Sequence, residues 1–500
     1  MRQKCYLVFN TVFVILFFLI FIGSIISNQS ICFTTSNPLF LILSVLIVIA
    51  LWTIFYKLLS KIKKWSTKTE LIVVILIFIL IIGLQVFFAH FLKVKPSWDF
   101  GMIYDNAVNY AKLGSQAKIS EYFAMCPNNT FPLYVLTIIY KILAKLHFYN
   151  FMSFSIGLNI LSIDVALLGM YLIIRKLINV KTAIFSMIVT IFISPLFLYT
   201  PVFYTDTLSI AFPIWLFYLY LNRPKDDAPL KKIMMHSIIF SFLLFLGFEM
   251  KMTCIIIVIA ILIEEILSKE VLLNKKLYVC IGIFFIVVLG IYSIINNKLT
   301  SSWDRDKSLP YIHYVMMGTS KTPLKNNKYA YGIYNVDDLG YTNSFDTEEE
   351  KIENDKKLLK ERLKNYGFVG SIDFFYKKAL QTFGDGTYFA PEKLRRSPIE
   401  KNYLHNIYLV DGKYFSYYFY YAEGVQLSLL LLLSTSGLSA LKKKEDKTNI
   451  IRVAIFGLLL FLTIWEARSR YLINYIPIIV IGAIVGFTDI YNYIEKKVGK

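Results

Sequence analysis

The residues most able to carry chemistry in this chain are charges set where an apolar chain tolerates them poorly. Lys251 interrupts the apolar stretch 237–263, Asp206 sits at a helix start in TPVFYTDTLSI, and Arg468 and Arg470 lie between two apolar runs in WEARSRYL. A charge near the bilayer centre costs roughly 2.5–3.5 kcal/mol on insertion scales, so a chain keeps one where it binds or reacts. Guanidinium groups grip phosphate in bidentate fashion, and an ammonium in apolar surroundings needs an anion. Lys251, Arg468 and Arg470 are therefore candidate phosphate ligands. The plainer readings are a snorkelling lysine and, with Glu466, a structural ion pair that orients one of the arginines.

A second group lies in KPSWDFGMIYDNAVNYAKLGSQAKISEYFAMCPNNTFPLY. Asp99 directly follows a long apolar run, and a carboxylate at such an exit can serve as a general base. It can equally cap the helix that begins there, and Thr205 and Asp206 can cap theirs. Asp105 falls on the first of these helices. CPNNTFP is a turn that either aims Asn128 and Asn129 at a ligand or is only a turn. His313, alone in PYIHYVMMG, reads more readily as a packed or surface residue.

The elements that position these groups are membrane helices. The chain has 500 residues, is 56% hydrophobic and carries a net charge of +19. Its mean hydropathy is +0.56. That composition, with many apolar runs near the roughly 20 residues needed to cross a bilayer, predicts an all-α polytopic membrane protein. The expected spans are 8–27, 39–59, 71–92, 151–174, 182–200, 207–221, 236–248, 252–267, 277–296, 422–441, 450–466 and 471–493, about twelve in all. With the N-terminus inside, the short loops at 57–68, 175–181, 222–232, 268–276, 441–447 and 495–500 all fall inside, and every one is basic. The positive-inside rule then accounts for the positive charge, and nucleic acid is excluded as a partner. The five cysteines show neither CxxC nor metal spacing. Residues 132–149 are read as an amphipathic helix on the outer surface, because Lys141 and Lys145 interrupt them. Residues 236–267 are read as a short hairpin.

This gives four regions: two N-terminal helices (1–60), a transmembrane core (61–297) with a first external loop at 93–150, a small external α or α+β domain (298–421), and C-terminal transmembrane helices (422–500). The expected location is the plasma membrane, with both termini cytoplasmic and the active site extracellular.

Taken together, WDFG with its Tyr-Ala helix and PNN, YTD after a pair of spans, GFEMK, WEARSRYL, and an insert with HYVMMG and FGDGTY resemble the GT-C superfamily of integral-membrane glycosyltransferases. The likeness is to bacterial relatives of protein O-mannosyltransferases and of the lipid A aminoarabinose transferase, over about residues 61–493. The superfamily's first-loop signature is often an acidic pair, whereas here Asp99 precedes Phe100 and Asp105 precedes Asn106. The resemblance implies a GT-C-like fold and transfer of a sugar, with inversion, from a polyprenyl-phosphate-linked donor to a cell-envelope polymer or glycolipid. Asp99 would be the base, and Lys251, Arg468 and Arg470 would hold the donor phosphate. Asp105, Asn128, Asn129, Asp206, Glu466, Tyr471 and His313 would position substrate. A divalent cation, Mg or Mn, is used by some members. The alternatives are a flippase or polymerase of lipid-linked oligosaccharides and, more distantly, a secondary transporter.

The topology is directly testable. A tag at Lys500 is expected to be protected from external labelling, while a cysteine replacing Asp337 reacts; the opposite pattern inverts the arrangement.

Overall fold

The computed structural model describes residues 2–27, 36–62, 65–114, 120–268, 274–324, 328–441 and 448–498. Lys500 therefore lies outside the described residues, as do most of the expected inside loops at 268–276 and 441–447. Among the described residues the chain is nearly all helical. Lipid offers backbone groups no hydrogen-bond partners, so apolar runs satisfy their own amides as helices.

The first three are α1 (Arg2–Ser27), α2 (Pro38–Ser60) and α3 (Thr67–Phe91). Local signals set their starts. Asn37 caps α2 by accepting from the Leu39 amide at 2.9 Å, with Pro38 at the first position, and Ser66 caps α3 through the Thr69 amide. Next come α4 (Trp98–Leu113) and α5 (Thr130–Lys145), packed on each other. Helix α5 buries Leu133, Leu136 and Tyr140 while Ile138 and Ile142 stay exposed. Helices α6 (Phe151–Leu177), α7 (Val180–Ile191), α8 (Ala211–Leu221), α9 (Leu230–Met250), α10 (Ile255–Ser268) and α11 (Lys275–Leu299) follow.

Between α11 and the last helices lies the insert. It holds α12 (Tyr311–Met317), an antiparallel pair β1 (Lys321–Pro323) and β2 (Tyr329–Tyr331) with Lys321 opposite Tyr331, and the long α13 (Glu348–Phe383). A capping box of Thr347 and Glu350 starts α13, and Gly367, at φ +62°, breaks it. The chain closes with α14 (Phe415–Ala440), α15 (Asn449–Ile464) and α16 (Ile476–Val498).

Among the described residues seven helices are long and apolar enough to cross a membrane: Gln3–Ser27 of α1, then α2, α3, α6, α9, α11, and Ser469–Lys497, which takes in most of α16. Three shorter apolar stretches, Val180–Ile191, Thr205–Leu221 and Asn449–Ile464, accompany them. Of the twelve expected spans, the structure supports this set by length and composition and does not confirm the full number. Proline and charge divide several apolar runs: Pro195 follows α7, and Asp206 sits where α8's run begins. The expected short span 236–248 is corrected, because α9 starts at Leu230 and runs 21 residues. It ends at Lys251, whose φ of −161° and ψ of 113° are extended, and a 3₁₀ turn at Met252–Cys254 leads into α10.

The core centres on α14, which packs against α1, α2 and α16. Its contact with α16 is close because Gly486 meets the Leu432 carbonyl with no side chain between them. At the far end of the bundle Arg452 is buried, donating from Nε to Asn10 Oδ1 at 2.8 Å and from Nη1 to Thr448 Oγ1 at 3.0 Å, which ties α15 to α1.

Adding a methyl group at Gly486 forces α14 and α16 apart. Gly486→Ala should destabilise the protein by roughly 1–3 kcal/mol, read as a lower Tm in detergent, while Gly282→Ala, with open space around it, leaves Tm unchanged.

Candidate functional site

Three breaks between helices bring together the charges that stood out in the sequence. Asp206 lies in the short helix Thr205–Leu208, Lys251 in the extended residue after α9, and Arg470 in the 3₁₀ turn Ser469–Tyr475 that leads into α16. Asp206 Oδ1 accepts from Lys251 Nζ, and Oδ2 accepts from Arg470 Nη1 at 2.8 Å. The side chains are 3%, 13% and 11% exposed, respectively, so each cation relies on one shared carboxylate.

Tyr471 completes this group. Lys251 Nζ and Arg470 Cζ each lie 4.8 Å from its ring centroid, and Arg470 also stands 5.7 Å from the Tyr204 ring, so both cations meet aromatic faces. The Tyr471 hydroxyl donates to Glu466 Oε2 at 2.5 Å, and the Tyr334 amide donates to Glu466 Oε1 at 3.0 Å. Glu466 therefore orients Tyr471 and the segment of the insert that follows β2.

A chain of hydrogen bonds runs from this cluster to Asp99. The Tyr204 hydroxyl donates to Asn129 Oδ1 at 3.2 Å, Asn129 Nδ2 donates to the Tyr122 hydroxyl at 2.5 Å, and that hydroxyl donates to Asp99 Oδ1 at 2.7 Å. Burial, with Tyr204 and Asp99 beside it, pushes the Tyr122 phenol far up, so it remains a donor. Ser97, rather than Asp99, stands at the cap position of α4, and Asp99 lies in its first turn. Its Oδ2 takes no hydrogen bond among the described residues.

A further set of cations comes from the insert, in FGDGTYFAPEKLRR. The Lys393 ammonium and the Arg396 guanidinium both lie over the Trp98 ring, next to Asp99. Burial holds the Lys393 pKa well below the usual lysine range; Arg470 and Arg396 act in the same direction, and Asp206 and Asp99 oppose them. Burial, then Arg468, brings Arg396 down to about 10. Arg468 stacks 4.5 Å from the Phe389 ring. The Nε atoms of Arg396 and Arg470 are buried donors without a hydrogen-bond partner among the described residues. Five cations thus share this end of the bundle with Asp99, Asp206 and Glu466.

The turn that delivers Lys393 and Arg396 is strained and tightly held. Tyr388 and Phe389 have φ of 51° and 62°, the left-handed region that L-residues avoid. Asp385 holds it there, accepting from Thr387 N at 3.0 Å, Phe389 N at 3.3 Å and Ser469 Oγ at 2.5 Å. The Ser469 contact fastens the turn to the residue before Arg470. Burial pushes the Asp385 carboxyl up, towards its neutral form.

Other expected positions fall elsewhere. Asp105 is exposed on α4, and its neighbour Asn106 is buried instead, accepting from the Ser120 amide at 3.3 Å. Asn128 is exposed, while Asn129 turns inward. His313 is buried inside the insert, where Nδ1 lies 2.7 Å from Thr342 Oγ1, which donates to Asp355 Oδ1 at 2.8 Å. Burial brings His313 down to about 4, a packed neutral histidine. Asp105 and Asn128 thus face outward and His313 packs within the insert, and none of the hydrogen bonds described above ties them to the Asp206 group. Tyr122, Tyr204, Lys393 and Arg396 were not legible as site residues; the basic run EKLRR after FGDGTY was the one available signal. No three His, Cys, Asp or Glu side chains converge among the described residues, and Asp206 is engaged by two cations. The donor set does not fit the Mg or Mn centre that the resemblance allows.

The chain belongs to the family described as conserved hypothetical integral membrane protein, which matches residues 2–490. No curated protein and no solved structure matches it.

Removing the shared carboxylate leaves two buried cations without a counter-ion. Asp206→Asn should cost about 3–5 kcal/mol, lowering Tm in detergent far more than Asp105→Asn, whose side chain faces solvent. Equal effects would show that the three charges do not depend on one another.

Proposed function

We propose that this integral membrane protein transfers a sugar from a polyprenyl-phosphate-linked donor to a hydroxyl of a cell-envelope acceptor, on the outer face of the plasma membrane and with inversion at the anomeric carbon. The observation that carries the reading is a half-buried carboxylate, Asp99, beside a cationic group with buried, unpaired guanidinium donors at the same end of the bundle. One side of the site takes a proton, and the other accepts an anion.

In this reading Asp99 Oδ2 faces the acceptor hydroxyl while Tyr122 holds Oδ1. As Asp99 removes the proton, the acceptor oxygen forms a bond to the anomeric carbon. The bond from that carbon to the phosphate oxygen breaks, and its electron pair leaves on polyprenyl phosphate. The charge that develops there is met by Lys393, Arg396 and the Arg470 Nε, fixed in advance by the Asp385 turn and by Asp206. Lys251 and Arg470 support the site chiefly through Asp206, so Lys393 and Arg396 take the larger share of the phosphate. No metal is required by this sequence of events. A flippase of lipid-linked oligosaccharides or a secondary transporter would need its charges along a path between leaflets, whereas Asp99, Asp206, Lys251, Lys393, Arg396 and Arg470 form one group.

The test is transfer by purified protein in vesicles containing labelled polyprenyl-phosphate sugar, with an envelope glycan as acceptor. Asp99→Asn should lower kcat by roughly 10²–10⁴-fold without lowering Tm. Lys393→Ala should lower kcat/KM by about 10²-fold. Full turnover in Asp99→Asn refutes the base, and movement of donor across the vesicle without a new glycosidic bond refutes the transferase.

A further inference from the structure

The second half of α13 carries the most exposed apolar side chains of the insert. Phe368, Val369 and Ile372 are 83%, 78% and 56% exposed. They follow immediately on Gly367, where the helix breaks. Before the break, α13 is charged: EEEKIENDKKLLKERLK. After it, FVGSIDFFYKKALQTF presents three faces on a helix with 100° per residue. Phe374, Lys378 and Gln381 point into the protein and are buried. Asp373 and Lys377 form a second, polar face and pair with each other at 2.7 Å. Phe368, Ile372 and the partly exposed Phe375 form the third face, an apolar stripe that ends where Ala379 packs against the core.

Contacts at both ends of this half-helix fix its depth. The Tyr376 hydroxyl donates to the Leu19 carbonyl of α1 at 2.8 Å, and Phe383 meets Phe17 edge-on at 5.8 Å. These positions lie within the apolar span of α1, where Phe18, Leu19 and Ile26 face outward and are themselves exposed. At the other end, the Tyr366 hydroxyl donates to the Thr319 carbonyl at 2.9 Å. Between them Lys378 Nζ donates to the carbonyls of Gly318, Thr463 and Trp465 at 2.7, 3.0 and 2.6 Å, at the end of α15. The half-helix is therefore tied to the apolar span of α1 and to the end of α15, close to the turn that carries Arg470.

We propose that residues 367–383 are an interfacial helix whose apolar stripe is seated in the lipid leaflet at the site end of the bundle, so that the insert is held by the membrane as well as by protein. The occupant is the hydrocarbon boundary of that leaflet. The lipid that covers Phe18, Leu19 and Ile26 of α1 reaches the same level as Tyr376. An amphipathic helix lying in the interface plane, with aromatic residues in its apolar face, has the required chemistry. Gly367 marks the change from a half that faces water to a half that faces lipid. The same helix leads directly into the Asp385 turn, so the leaflet sets the height at which Lys393 and Arg396 stand.

The unmodified protein in phosphatidylglycerol–phosphatidylethanolamine vesicles tests this without any substitution. A diazirine reagent that partitions into the acyl region is photolysed, and labelled peptides are mapped by mass spectrometry. Labelling within 367–376 at a level comparable to α1 residues 15–26, with none in 348–366, is expected; absence of label from 367–376 overturns the proposal. As an independent measure, spin labels on Phe368→Cys and Glu353→Cys in a cysteine-free background are compared by power saturation. The label at 368 should be at least several-fold more accessible to oxygen than to a water-soluble nickel chelate, and the label at 353 should show the reverse. Identical water-like behaviour at both positions also overturns it. Neither readout depends on catalytic activity.

Discussion

One buried carboxylate between two cations constrains the rest of the molecule. Asp206 holds Lys251 and Arg470 on opposite oxygens where water has little access. Desolvation makes each of these charges expensive by itself, and only the trio, supported by the Tyr471 and Tyr204 rings, offsets that expense. The three residues come from the start of α8's apolar run, the end of α9 and the approach to α16. Their meeting point fixes how these helices are placed relative to one another. It also leaves the Arg470 Nε as a buried donor without a hydrogen-bond partner among the described residues, while Nη2 donates to the Tyr471 hydroxyl at 3.4 Å.

Several groups in the site stand at or beside a break in regular structure, while Asp99 lies in the first turn of α4. Lys251 lies in an extended residue between two helices, Arg470 in a 3₁₀ turn, Asn129 in the turn before α5, and Lys393 and Arg396 after two left-handed residues. Regular helices satisfy their backbone and bury apolar faces, and so leave little for a ligand. Breaks release side chains into shared space, at the cost of the strain and capping seen around Asp385. The insert contributes in the same way. Lys378 donates to two carbonyls at the end of α15 and to that of Gly318 in the insert, and this holds the approach to Glu466, Arg468 and Arg470 against the insert.

The site, the strained turn and the apolar half of α13 lie at one end of the bundle. That arrangement suits chemistry on a substrate whose head is polar and whose tail remains in lipid. An interfacial helix that continues into the turn carrying two phosphate-binding cations would place those cations at the headgroup level. The apolar tail of a polyprenyl-linked donor would then stay in the leaflet while its phosphate reaches the cluster. The proposed base is separated from that phosphate side by the Trp98 ring and joined to it by the Tyr122–Asn129–Tyr204 chain.

Much of this was legible in the linear chain. Apolar run length predicted helices and a membrane, because the bilayer offers no other solution to backbone hydrogen bonding. The rarity of charge within such runs singled out Asp206, Lys251 and Arg470, and the exit of a span singled out Asp99. The bounds of the helices were less legible, since hydropathy did not show that α9 begins at Leu230 or that α14 buries Glu423 and Gln426. The partner of each charge was not legible. Asp206 and Arg470 are separated by 264 residues and Tyr122 and Asp99 by 23, and nothing in local spacing states which carboxylate meets which cation. Lys393 and Arg396 looked like ordinary surface charge in a polar insert. Only the folded chain, by setting Asp385 against Ser469 and Trp98 beneath two cations, placed them at the site. Residue type and its local solvent determined which groups had to find partners; long-range packing, which depends on three-dimensional complementarity rather than on sequence period, decided which partners they found.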